Sequence, residues 1–200
     1  MYLGVKIDSK LKFNLHLQLL KDKLSRLAGI SWKLADSFNF STAINFYYVF
    51  AYSTICYGVT SWGGVLLTKK CNGIKNMFNK IILNLFRPHY VDKSLNEMLI
   101  DLNLLKFDDI VKVEMLSAYY SNLCSGTLGS LNFEPKISSY RTRNNELGDL
   151  SIPTPRTETV KANYSYQIPV LWNELPHEVR IIQPITAFRY NIKKHFISKY

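Results

Sequence analysis

From Ser37 to Thr68 the chain carries no charged side chain. A stretch of that length belongs either in a membrane or in a protein core. A transmembrane helix needs about 20 predominantly apolar residues, and Ala43–Leu67 is long enough. Against a span stand the polar Asn45, Ser53, Thr54, Thr60 and Ser61, the interruptions at Gly58, Gly63 and Gly64, and the absence of leucine before Leu66. The stretch therefore predicts a buried core helix rather than a membrane span. The rest of the chain supplies a core to match: 47% of the 200 residues are apolar and 14% aromatic, which excludes a disordered tail.

The periodicity predicts a mainly α-helical fold. Phe13, Leu17, Leu20, Leu24, Leu27, Ser31 and Leu34 recur at spacings of three and four, the stripe of a first helix. Ser41 is the expected N-cap of a second helix running to about Trp62, broken by Gly63-Gly64. A third is expected over Lys69–Phe86, burying Ile74, Phe78, Ile81 and Leu85. Ser94 with Glu97 predicts a capping box on a short helix. Asp108-Asp109 opens a fifth helix reaching about Cys124, where acids suit the helix dipole. Ahead of these, Tyr2–Asp8 alternates as a short strand would, with Ser9-Lys10 as a turn. From Ser125 to Pro155, Gly, Pro, Ser, Thr and Asn predict irregular structure. A short apolar segment, Tyr164–Trp172, and a final helix at about Pro184–Ser198 follow. The expected organisation is a short strand and basic helical bundle over 1–90 and a carboxy-terminal region over 91–200, helical and acidic to 126 and irregular and basic from 127.

Charge is unevenly distributed. Net charge is +10 overall, with +4 over residues 1–40, +5 over 41–90, −4 over 91–135 and +5 over 136–200. A basic balance with thirteen Tyr and eleven Phe suits a polyanionic partner and base stacking, although most single rings are expected to fill the core. Lys69, Lys70, Lys75, Lys80 and Arg87 stand out, because no acid lies between Asp36 and Asp92 to offset them. The alternative for these side chains is an ordinary solvated helix face. Arg141, Arg143 and Arg156 lie in the irregular region, where they can meet phosphate or pair locally with Glu146, Asp149 or Glu158.

Enzyme chemistry finds no foothold. His16, His89, His177 and His195 are scattered, and no nucleophile elbow or phosphate-binding glycine loop occurs. Cys56, Cys71 and Cys124 form no close pair and no zinc pattern. Reduced thiols and an opening without a signal-peptide pattern predict an intracellular protein, nuclear or cytoplasmic and not secreted. No small-molecule substrate is expected.

Several blocks together resemble the region after the polymerase palm in non-LTR (LINE) retrotransposon reverse transcriptases, especially the jockey-like group. Tyr2-Leu3-Gly4-Val5-Lys6-Ile7-Asp8 with Leu11, Phe13 and His16 resembles the post-palm segment. Lys23–Ile30 with Lys33-Leu34 resembles the first thumb helix, and Tyr57-Gly58-Val59 with Trp62-Gly63 the Tyr-Gly…Trp-Gly block. Lys75–Arg87 is similar to the family's basic helix. Tyr140-Arg141-Thr142-Arg143, Pro155-Arg156-Thr157 and Leu171-Trp172-Asn173-Glu174-Leu175-Pro176 resemble its carboxy-terminal signature. The blocks cover essentially all 200 residues in order, although Ile168 stands where the family has glycine and the Gln of the basic helix is replaced.

The resemblance implies a thumb and carboxy-terminal domain of an RNA-directed DNA polymerase. The family's Tyr/Phe-Ala-Asp-Asp turn, whose carboxylates hold two metal ions, does not occur in this sequence. The chain is therefore expected to be no enzyme by itself and to need no cofactor, the Mg²⁺ belonging to the family's palm. Its implied partners are nucleic acid, either RNA or an RNA–DNA hybrid, and the polymerase palm. Lys21, Lys23, Arg26 and Lys33 would grip phosphates from the thumb helix. Tyr2, Leu3 and Gly4 would position the primer end, the alternative being that Leu3 and Val5 pack the strand while Gly4 relieves a bend. Trp172 is expected to be a core anchor. Two other outcomes stand beside this one: a membrane-associated protein using residues 39–68, and a remnant without selected function.

Overall fold

A computed structural model describes residues 2–69, 71–126, 133–136 and 148–200, which are mainly α-helical. Helix α1, Asn14–Leu34, buries Leu17, Leu20, Leu24 and Ser31 of the expected stripe, with Phe13 just ahead, and adds His16 and Ala28. Leu34 lies at the exposed end. Ser31 is tolerated inside because its hydroxyl donates to the Ala28 carbonyl at 3.0 Å.

The uncharged stretch is not one helix to Trp62. Asn39, not Ser41, caps α2 (Phe40–Phe46), its side chain accepting from the Thr42 amide at 2.8 Å. A π-helical segment, Tyr47–Tyr52, and α3, Ser53–Cys56, follow. The break comes at Tyr57-Gly58, where Gly58 adopts φ of 64° and opens α4, Val59–Thr68. Gly63-Gly64, expected to break a helix, lies inside α4. A Cβ on Gly63 would sit 2.9 Å from Val111 Cγ1, and one on Gly64 2.1 Å from the Ala162 carbonyl oxygen. The two glycines let α4 press closely on its neighbours.

Helix α5, Asn72–Phe86, starts later than the expected Lys69 but buries its whole predicted stripe. The Ser94–Glu97 capping box closes the start of α6, Leu95–Asp101, with Ser94 N donating to Glu97 at 2.7 Å. Helix α7, Phe107–Ser125, is buried on most of its faces and forms the hub against which α4 packs. Gly126 at φ of 67° ends it. Four helices complete the described chain: α8 (Glu158–Lys161), α9 (Tyr164–Asn173), α10 (His177–Arg180) and α11 (Ile185–Ile197). Helices α9 and α11 also pack on α7, so the apolar core runs continuously from Val5 to Phe196.

The expected strand at Tyr2–Asp8 is instead a tight turn. Tyr2 and Val5 exchange backbone hydrogen bonds at 2.9 Å, with Leu3 (φ 42°) and Gly4 (φ 78°) between them in the left-handed region. Among the described residues no neighbouring strand extends that pair. No helix among them is long and apolar enough to cross a membrane. The uncharged stretch places Tyr47, Ala51, Ile55, Trp62, Val65 and Leu66 in the protein core.

Candidate nucleic-acid interface

Helices α1 and α5 pack side by side and run in the same direction. Lys21 lies across the start of α5, its Cε 3.3 Å from where a Cβ on Gly73 would stand. Toward the far end, Asn84 donates to the Ala28 carbonyl at 2.9 Å and to Ser31 Oγ at 3.2 Å. Asn14, Gln18, Lys21 and Trp32 recur at helical spacing and share one edge of α1, with Asp36 in the short turn just after it. Gly73, Lys80 and Asn84 share the facing edge of α5, and Arg87, its C-cap, follows on the same side.

Two grooves open along this seam. One, of about 380 Å³, holds Asn14, Lys21 and Lys69 near the start of α5. The other, of about 710 Å³, holds Trp32, Asp36, Lys80, Arg87 and Asp92 at the far end. Lys80 and Arg87 are seven residues apart, about 10 Å along a helix. Both are exposed and neither forms an ion pair among the described residues.

The structure thus brings together Lys21, Lys69, Lys80 and Arg87 and separates the other candidates from them. Lys69 is partly committed, since its Nζ donates to the Lys12 carbonyl at 3.2 Å and to Asn14 Oδ1 at 3.0 Å, bracing the start of α1. Neither acceptor is a carboxylate, so its charge stays unneutralised. Lys75 points elsewhere and bonds Asp108 of α7 at 2.6 Å, half-buried. Lys23, Arg26 and Lys33 are exposed on α1 away from the seam. Lys23 lines a separate cavity of about 290 Å³ with Gly4, His16 and Tyr57. Arg156 is exposed just before Thr157, the N-cap of α8. Lys70, Arg141 and Arg143 lie outside the described residues.

Tyr2 and Leu3 project from the amino-terminal turn and are exposed. The turn rests on α3's end: Tyr57 Oη donates to the Leu3 carbonyl at 2.7 Å, and a Cβ on Gly4 would meet the Tyr57 ring at 3.3 Å. In the cavity beside it His16 is 9% exposed, its ring 5.2 Å from Trp62, with Nδ1 buried and unpartnered among the described residues. Burial, and then the charge of Lys23, hold its pKa below the ordinary imidazole value.

The Leu171–Pro176 block has a structural role. Asn173 exchanges hydrogen bonds with the Leu150 backbone, accepting its N–H at 2.8 Å and donating to its carbonyl at 2.9 Å. Trp172 is buried as expected and donates to the Gly148 carbonyl at 3.2 Å. Arg180, also buried, reaches Asp149 at 2.7 Å and the carbonyls of Leu175 and Asn173. Ile168, where the resembled family has glycine, is fully buried in the core.

Two features of the site escape the sequence patterns. Trp32 falls off the apolar stripe of α1, the one local sign that it faces outward, and it lines the larger seam groove. Asp108 neutralises Lys75 from a helix 33 residues away, which no local charge count registers. Among the described residues no three His, Cys, Asp or Glu side chains gather as a metal site. Comparison with family models, curated proteins and solved structures finds no match for this chain.

Proposed function

We propose that the chain is the thumb and carboxy-terminal portion of a retrotransposon reverse transcriptase, and that it binds nucleic acid through the α1–α5 seam. The observation that carries this is the row of Lys21, Lys80 and Arg87 along one side of the packed α1 and α5, with Lys69 beside the start of the seam and no carboxylate paired to any of them among the described residues. Unneutralised cations on a rigid surface attract phosphates whatever the base sequence. The ordered motif blocks add independent support, because the helices that form the seam are the two that resemble the thumb helix and the basic helix. Lys23, Arg26 and Lys33 extend the positive field over the outer face of α1. Tyr2 and Leu3, held out on the turn braced by Tyr57, would meet the primer end.

The role is recognition without catalysis. The Tyr/Phe-Ala-Asp-Asp turn of the resembled family is not in this sequence, so phosphoryl transfer is assigned to a palm that the chain would serve. Titration of a fluorescent RNA·DNA hybrid with the purified chain at low salt tests the proposal. Saturable binding that is indifferent to base sequence is expected. A folded chain that leaves the hybrid unbound would refute it.

A further inference from the structure

Three tryptophans occur in the chain, and two are core residues with their indole N–H groups satisfied: Trp62 donates to the Tyr57 carbonyl at 3.1 Å and Trp172 to Gly148. Trp32 differs on every count. It is 68% exposed, makes no ring contact with another aromatic side chain, and leaves its N–H without a partner among the described residues. It lines the 710 Å³ groove at the far end of the seam. Around it Lys80, Arg87, Asp36 and Asp92 share that groove, two cations and two carboxylates that form no ion pair with one another.

We infer that this groove is a subsite for an unpaired nucleotide, its base stacked on Trp32 and its phosphates met by Lys80 and Arg87. Every base offers a flat π face, and an exposed indole beside free cations is the pairing that single-stranded nucleic acid requires. Asp36 and Asp92 add hydrogen-bond acceptors to the groove that a phosphate does not use. A nucleotide also carries N–H donors on its base edge, which carboxylates accept, so both signs of charge in the groove find a counterpart on one ligand. The duplex, whose bases are already stacked, has no use for the indole. The inference rests on the seam's role in binding nucleic acid and narrows it to a strand leaving the duplex at the ends of α1 and α5.

The test uses the purified chain, a short single-stranded oligoribonucleotide and an RNA·DNA hybrid. Stacking should quench intrinsic tryptophan fluorescence on addition of the single strand, and Trp32→Phe should keep the affinity while losing the quench. Trp32→Ala should weaken single-strand binding by about 5- to 150-fold, the worth of one stacked base, and leave hybrid binding unchanged. Because the residue is exposed, the variants are expected to fold, which circular dichroism checks. Single-strand affinity untouched by Trp32→Ala, with the hybrid still bound, overturns the subsite alone. Failure of the wild-type chain to bind either probe overturns the subsite and the seam together.

Discussion

Lys75 of α5 bonds Asp108 of α7 at 2.6 Å, and this removes from the candidate interface a cation that its neighbours in the chain leave unopposed. The pair ties the seam helix to the hub helix, while Lys80, five residues on, keeps its charge for a ligand. The two lysines therefore separate structural from binding roles on a single helix.

Lys75→Gln should leave affinity for an RNA·DNA hybrid within about twofold, and Lys80→Gln should weaken it and lower the salt slope by about one. In a double-mutant cycle the Lys75–Asp108 coupling should be at most about 1 kcal/mol, because both side chains are about a third exposed and solvent screens the pair. Equal loss of affinity in both lysine variants would contradict this division.

Gly64 should not tolerate a methyl group. Its Cβ would stand 2.1 Å from a backbone oxygen, so relief requires moving α8 or its exit at Ala162 away from α4. Gly64→Ala should cost about 3 kcal/mol in urea unfolding, the upper end of the overpacking range. Gly29→Ala, with nothing within 4 Å of the new Cβ, is the exposed control and should be neutral or stabilising.

Asn173→Ala should strand the Leu150 N–H and carbonyl together and cost about 1–3 kcal/mol. Asn173→Asp keeps the acceptor for Leu150 N–H but sets a carboxylate against the carbonyl, so it should be little better. An unchanged thermal midpoint in either variant would show that the Leu171–Pro176 block does not hold the 148–150 segment.

Acid should destabilise the fold partly through His16. Its folded pKa lies below the unfolded value of about 6.5, so the unfolded chain binds more protons between the two values. The contribution is complete above about pH 6.5 and is lost as pH falls from there toward the folded pKa. His195, shifted down by burial and then by Lys199, acts in the same sense. The drop in urea midpoint between neutral and mildly acidic pH should shrink in His16→Gln. An undiminished drop would assign the acid sensitivity elsewhere.

What the sequence makes legible is mostly local. The stripes of α1 and α5 and the Ser94–Glu97 box are visible because helical spacing and capping depend on near neighbours. Gly58 and Gly63-Gly64 look alike as sequence, yet the first bends the chain at positive φ and the others accommodate Val111 and Ala162. That distinction is tertiary. So is the amino-terminal segment, whose alternation suits a strand but finds no neighbouring strand among the described residues, leaving a turn supported by Tyr57. The cationic candidates were legible as residue types, whereas their sorting into Lys21, Lys69, Lys80 and Arg87 along the seam and Lys75 paired with Asp108 depends on how α1, α5 and α7 pack.

The most direct test of the seam is the salt dependence of hybrid binding in a Lys21/Lys80/Arg87→Gln variant, measured by fluorescence anisotropy beside the wild-type chain. Losing three phosphate contacts should flatten the slope of log affinity against log salt by about 0.9 for each. The circular dichroism spectrum should not change, since all three side chains are exposed. A folded variant that binds the hybrid with wild-type affinity and wild-type slope would contradict the account.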